Sequence, residues 1–157
     1  MIQEANKGVI ELHDEDASPN AIMAMLRHLY GSRYEEQKIQ LVAQEIAEFH
    51  LMLFILGDKY DIKTLREDAK ARFEKFLKAE LADDEFYDET IYAIQKLLGP
   101  NDLQLADDSL GLSVEDFVLD YPIDMFHNDI FRRLMAEGNM LKTKLAVDFL
   151  VKIDDLI

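Results

Sequence analysis

The apolar residues of the chain recur mostly at helical spacing, most strongly over residues 45–56. Ile46, Phe49, Leu53 and Leu56 lie three or four positions apart, the spacing of one helical face. The positions between them are also largely apolar, namely Leu51, Met52, Phe54 and Ile55. A helix that is apolar on all sides is normally enclosed by other elements. This segment is therefore predicted to be the most buried helix of the protein.

The same spacing predicts further helices on both sides of this segment. They cover about residues 19–30, 61–82, 86–98, 114–121, 129–136 and 141–156. Ser18 is a suitable N-cap and Pro19 a suitable first residue for the earliest of them. The sequence from Ser113 to Asp116 resembles a capping box, which predicts a helix start there after a polar loop over 101–112.

Only the segment from Val9 to His13 has the β-branched, partly alternating character of a strand. A single strand cannot satisfy its own backbone donors and acceptors, and no second strand is evident from the sequence. The unpaired strand suggests that the chain lacks its beginning. If so, an exposed strand edge and apolar helix would favour association with other chains.

Composition narrows the possible functions. The chain of 157 residues has a formal net charge of −15. Such a negative surface repels phosphate backbones and anionic lipids, so we expect neither nucleic-acid nor membrane partners. The chain has no cysteine, and no signal peptide or membrane-spanning run is recognisable. These features predict an intracellular protein, cytoplasmic or nuclear.

No pattern of catalytic or ligand-binding residues is recognisable. The four histidines lack metal-binding spacing, and no phosphate-binding loop, dinucleotide fingerprint or nucleophile motif occurs. Asp102, Asp107 and Asp108 invite a calcium interpretation, but they lack the order of an EF-hand loop. Asp58 and Lys59 are better interpreted as helix caps at a junction where Tyr60 packs inward. We therefore expect no catalytic centre, cofactor or metal.

Three segments of the chain resemble a fungal BTB/POZ protein. The first runs from Gly8 through Pro19 to the Leu29-Tyr30-Gly31 helix end, and the second is the junction from Phe54 to Leu65. The third runs from Asp116 to Leu150. In the junction Gly57 replaces the alanine of the family, a change that loosens a helix by roughly 1 kcal/mol. In the third segment Pro122 departs from the family pattern and predicts a kink or break.

The resemblance implies a mainly α fold. Residues 1–82 would form the C-terminal part of a BTB/POZ α/β fold with a residual strand, and residues 83–157 a helical extension. The opening hairpin and first two helices of the family, which carry its usual dimer interface, have no counterpart before Met1. The full-length form is accordingly expected to be a homo- or hetero-oligomer.

The resemblance also implies an adaptor or scaffold that binds other proteins, with a cullin-type ubiquitin ligase as one candidate complex. Cullin-binding members carry a hydrophobic-x-acidic motif just ahead of this strand, and Ile2 and Glu4 fit it. Tyr34 and Tyr87 are further candidate partner-binding residues, because exposed tyrosines often anchor a partner. The alternative function is a helical ligand-binding protein or an enzyme with an unrecognised site.

Overall fold

A computed structural model describes residues 2–5, 9–12, 17–32 and 39–157. Most of these residues are helical, which confirms the predicted mainly α class. The described helices are α1 (Pro19–Leu29), α2 (Ile46–Lys59), α3 (Lys63–Ala82), α4 (Asp88–Leu98), α5 (Ser109–Asp120), α6 (Pro122–His127), α7 (Asp129–Ala136) and α8 (Thr143–Leu156). A short 3-10 turn, Ala43–Glu45, leads into α2.

The backbone near the N-terminus forms a two-stranded ladder. Strand β1 (Ile2–Ala5) pairs antiparallel with strand β2 (Val9–Leu12), and Ile2 lies opposite Leu12. The prediction of a strand without a partner was therefore wrong. The pairing was missed because the segment around residues 2–5 is too short and too polar to stand out as a strand from its sequence alone.

Helix α2 lies at the centre of the fold, as its all-round apolar character predicted. Its buried residues face every side of the helix: Ala47, Phe49, His50, Leu51, Leu53, Phe54, Leu56 and Gly57. Helix α3 packs against it, with Leu65, Ala69, Phe73 and Leu77 buried. The two helices approach each other closely at Gly57, where a Cβ would lie 2.8 Å from Arg66 Cγ and 3.0 Å from the Arg66 nitrogen. Gly57 therefore makes room for α3 rather than merely loosening a turn.

The predicted helix boundaries can be compared with the observed ones at three positions. The Ser18 hydroxyl accepts a hydrogen bond from the Ala21 N–H at 3.2 Å, which confirms the predicted cap. The predicted start at Ser113 was wrong, because α5 already begins at Ser109. Ser113 instead donates its hydroxyl to Glu74 Oε1 on α3 at 2.6 Å. The predicted break at Pro122 is confirmed: α5 ends at Asp120, and Pro122 is the first residue of α6.

One apolar cluster joins the two halves of the chain. Its largest fully buried side chains come from both predicted segments and include Phe54, Phe73, Phe131 and Phe149. The aromatic rings of the second half also pack on one another, with the Phe131 and Phe149 ring centroids 5.2 Å apart. Phe149 thereby fixes α8 to the rest of the fold.

Candidate functional site

The junction between α2 and α3 holds a distant loop in place. The Asp58 carboxylate accepts the backbone N–H of Ala106 at 3.0 Å and that of Asp107 at 2.8 Å. These partners lie 48 and 49 residues further along the chain. The expectation that Asp58 caps a helix at its own junction was therefore wrong. Its role is to fix the segment between α4 and α5.

Arg66 reinforces the same contact from the first turns of α3. Its Nε donates to Asp107 Oδ2 at 3.0 Å, and its Nη1 donates to the Gly57 carbonyl, also at 3.0 Å. The pKa of Asp107 is lowered, first by hydrogen bonding from Ser109 and then by the Arg66 guanidinium, against the opposing effect of burial. The Asp107 carboxylate is thus fixed by hydrogen bonds from Arg66 and Ser109. This structural role accounts for one of the three aspartates that invited a calcium interpretation.

The fixed segment forms one wall of a cleft with a volume of about 420 Å³. The other walls are the end of α4, the start of α5 and the start of α8. Six leucines contribute its apolar surface: Leu97, Leu98, Leu103, Leu105, Leu112 and Leu145. Leu112 is 54% exposed, whereas Leu110 and Val114 of the same helix are buried. Leu97, Leu98 and Leu145 are buried, whereas Leu103 and Leu105 are half-buried. The cleft therefore presents apolar side chains to solvent mainly at Leu112 and on the loop.

Charged side chains surround this apolar surface, and acids outnumber bases. Asp102, Asp107, Asp108, Glu115 and Asp148 line the cleft together with only two lysines, Lys142 and Lys144. Lys142 Nζ lies 2.5 Å from Asp102 Oδ2, and Asp107 is paired with Arg66. Asp108, Glu115 and Asp148 make no ion pair with any residue that the structure describes. The cleft therefore keeps a surplus of uncompensated negative charge at its edge.

The buried carboxylate of Glu80 positions the start of α4. The Glu80 carboxylate is nearly inaccessible; its Oε1 accepts the Tyr87 N–H at 2.7 Å and the Thr90 hydroxyl at 3.1 Å. Burial raises the pKa of Glu80, and the hydrogen bond from Tyr87 opposes that rise. Because both hydrogen-bonding groups belong to the α4 start, this arrangement is explained by helix positioning.

Of the residues predicted to bind partners, Tyr87 has a described side chain, and it does not line the cleft. Ile2 and Glu4 belong to β1, and Tyr34 lies outside the described residues. Tyr87 is half-buried and precedes α4, where its backbone N–H bonds to Glu80. Sequence reasoning missed the cleft because its leucines follow ordinary helical and loop patterns. The local signals were Leu112, an apolar residue in a predicted polar loop, and the acidic residues over 102–115.

The described part of the chain contains no cluster of three or more histidine and carboxylate side chains arranged to hold a metal ion. Over the same residues, no helix is both long and apolar enough to cross a bilayer.

No protein-family model matches the chain, and no curated protein or solved structure matches it.

Proposed function

We propose that the chain is a protein-interaction module, an adaptor or scaffold, whose cleft binds a peptide segment of a partner protein. The observation that carries this proposal is the cleft between α5, α8 and the loop that Asp58 fixes, in which Leu112 is exposed and two loop leucines are half-buried. Exposed apolar surfaces bordered by polar residues are typical of interaction sites. A rigidly held wall also reduces the entropy lost on binding, because the site is already formed.

The charge at the edge of the cleft defines the chemistry of the partner. Asp108, Glu115 and Asp148 are free to bind cations, whereas the apolar walls favour an aliphatic or aromatic side chain. A segment with one or two apolar residues flanked by lysine or arginine satisfies both requirements. The net charge of −15 would also attract such a segment over a distance, mainly by raising the association rate.

Selection from a random peptide library displayed on phage tests this proposal. We expect the enriched peptides to combine apolar and basic residues and to bind the purified chain in a fluorescence polarisation assay. Replacing Leu112→Asp should weaken that binding at least tenfold, because a charge would enter the apolar surface. Asp108→Lys together with Glu115→Lys should weaken it about as much and reduce its dependence on salt.

Asp120→Lys is the matched control for these charge reversals. Asp120 is exposed on the same helix, α5, but it does not line the cleft. It should leave the peptide affinity within about twofold of wild type at physiological salt, where distant surface charges are screened. Enriched peptides that bind equally well to the Leu112 and acidic variants would rule out the cleft as the binding site.

A finer proposal follows from the resemblance to BTB/POZ proteins: the chain is a substrate adaptor of a cullin-type ubiquitin ligase. Its support is the Ile2-Gln3-Glu4 sequence together with the segments that resemble the family. Isothermal titration of the chain with the N-terminal domains of purified cullins tests it. We expect micromolar binding that Ile2→Asp with Glu4→Lys abolishes. Absence of heat for the wild-type chain with every cullin would refute this assignment while leaving the peptide-binding cleft untouched.

The alternative is a small-molecule ligand or substrate in the same cleft. Its volume of about 420 Å³ falls within the range of ligand pockets, roughly 300–1,000 Å³. We nevertheless propose that the chain has no catalytic activity, because the cleft contains no nucleophile paired with a base and an orienting group. A thermal-shift screen with a metabolite collection separates the two functions: a stabilising metabolite that loses its effect in Leu112→Asp would favour the alternative.

A further inference from the structure

Helix α8 is apolar on two opposite sides, and only one of them is buried. Leu145 and Phe149 pack into the core. Val147, Leu150 and Val151 lie on the outer side and are 55%, 51% and 53% exposed. Their spacing of three and four positions places them in one stripe along the helix. A helix with apolar residues on both sides normally has both sides covered.

The charges on the same side of α8 are arranged against the helix dipole. Lys144 lies near the N-terminal end of the stripe, and Asp154 and Asp155 lie near its C-terminal end. The first turn of α8 contains no acidic residue and the last turn no basic one. Cations near an N-terminus and anions near a C-terminus are unfavourable for an isolated helix. The sequence of α8 therefore loses stability locally through this order of charges.

These end charges are not neutralised within the chain. Lys144 and Asp154 are ten positions apart, or about 15 Å along the helix axis, too far for a direct ion pair. Neither of them, nor Asp155, makes a salt bridge with another residue of the described structure. The stripe thus has an apolar centre, an unpaired cation at one end and unpaired anions at the other.

We propose that the outer side of α8 binds the same side of a second copy of this chain in an antiparallel arrangement. A two-fold axis crossing α8 near residue 149 brings Val147 of one copy level with Val151 of the other, since each lies two positions from the axis. It brings Lys144 level with Asp154 of the second copy, each five positions from the axis. The surface is therefore complementary to itself, as a two-fold interface requires.

The charges select this arrangement over the parallel one. In a parallel pair the two copies of Lys144 would lie side by side, as would the two copies of Asp154, and these like charges would repel. In the antiparallel pair each cation also lies near the C-terminal end of the neighbouring helix, where a positive charge is favourable. This inference goes beyond the peptide-binding function, because it involves no partner other than the chain itself.

The dimer should have a low affinity, and that affinity should depend on the salt concentration. One helix face per copy is smaller than the roughly 800 Å² per partner of a standard stable interface. Two chains that each carry a charge of −15 also repel one another until salt screens them. Sedimentation velocity at physiological salt should therefore show a monomer at about 10 µM and a growing dimer fraction towards about 500 µM, as an interface of this small size implies.

A charge-swap experiment tests the arrangement. Lys144→Glu and Asp154→Lys should each weaken association about tenfold, because each change replaces two attractive contacts per dimer with repulsive ones. Together in one chain they should restore wild-type association, since the reversed charges again attract. Each single change improves the match with the helix dipole, so its thermal melt should be unchanged or higher. Weaker association therefore cannot be attributed to loss of α8.

Lys152→Glu is the matched control, because Lys152 is exposed on α8 but points away from the stripe. It should leave the dimer fraction unchanged. A monomer at every concentration would overturn the proposal. A dimer that the double variant fails to restore would overturn the antiparallel arrangement. Lys144 also lines the cleft, whereas Asp154 does not. The Asp154→Lys result therefore concerns the dimer alone, and the Leu112 result concerns the peptide alone, so failure of either proposal leaves the other intact.

Discussion

Replacing Phe149→Ala is expected to lower the free energy of unfolding by about 3–5 kcal/mol, the usual cost of removing a buried phenylalanine ring. The Phe149 side chain is fully buried and packs against the rings of Phe131 and Phe126, with centroid distances of 5.2 and 6.4 Å. Its removal leaves a cavity between α8 and helices α6 and α7. Urea denaturation followed by circular dichroism measures the loss.

Leu150→Ala is the matched control for this prediction. Leu150 is the next residue of α8 but lies on its exposed side, so its truncation in the monomer should change stability by less than about 0.5 kcal/mol. The measurement should be made at a low protein concentration, where the proposed dimer is absent. A loss at Phe149 no larger than that at Leu150 would show that α8 is not fixed to the core by this ring.

The stability of the protein is expected to fall as the pH is lowered from 6.5 towards 4, and His50 is the main reason that the structure offers. Burial in α2 lowers the pKa of His50 from 6.5 to about 4, and the nearby Arg72 guanidinium adds to this effect while Asp68 opposes it. The unfolded chain therefore binds a proton at a higher pH than the folded chain. The contribution of neutral His50 is present above pH 6.5 and is lost as the pH falls to about 4, by up to roughly 3 kcal/mol.

His50→Leu and His50→Gln test this linkage together. Both variants lack the titrating group. In both, the difference in unfolding free energy between pH 6.5 and pH 4 should therefore be smaller than in wild type, whatever their effect at neutral pH. Glu80 contributes with the opposite sign: its raised pKa makes its contribution greatest at low pH, and that contribution is lost as the pH rises. Because Glu80 is present in all three proteins, comparing them cancels its effect. An unchanged pH dependence in both variants would refute the assignment to His50.

The cleft was harder to predict than the helices because its parts are distant in sequence. Leu97, Leu112 and Leu145 come from three different helices, and the sequence pattern had assigned Leu112 to a polar loop. The contact that fixes the loop wall depends on Asp58 and the N–H groups of a segment almost fifty residues away. Local spacing contains no information about such a pairing, so Asp58 was assigned to the helix caps beside it.

The start of α5 illustrates a competition between two local signals. Ser113 begins a sequence that resembles a capping box, but the apolar positions Leu110, Val114 and Phe117 continue the helical pattern one turn earlier. Leu110 is fully buried, and its burial favours extending the helix back to Ser109. Ser113 is then free to hydrogen-bond Glu74 on α3. Burial of an apolar side chain outweighed a cap that contributes only about 1 kcal/mol.

The sequence by itself determined the mainly helical class, the central position of α2, the cap at Ser18 and the break at Pro122. Each of these depends on properties of neighbouring residues: apolar periodicity, a side chain that reaches its own backbone, and the missing N–H of proline. Only the tertiary structure decided that α8 exposes a second apolar side and that a leucine-lined cleft opens beside it. Which side of a helix is covered depends on elements far away in the chain, and helical spacing alone gives the same pattern for a covered stripe and an open one.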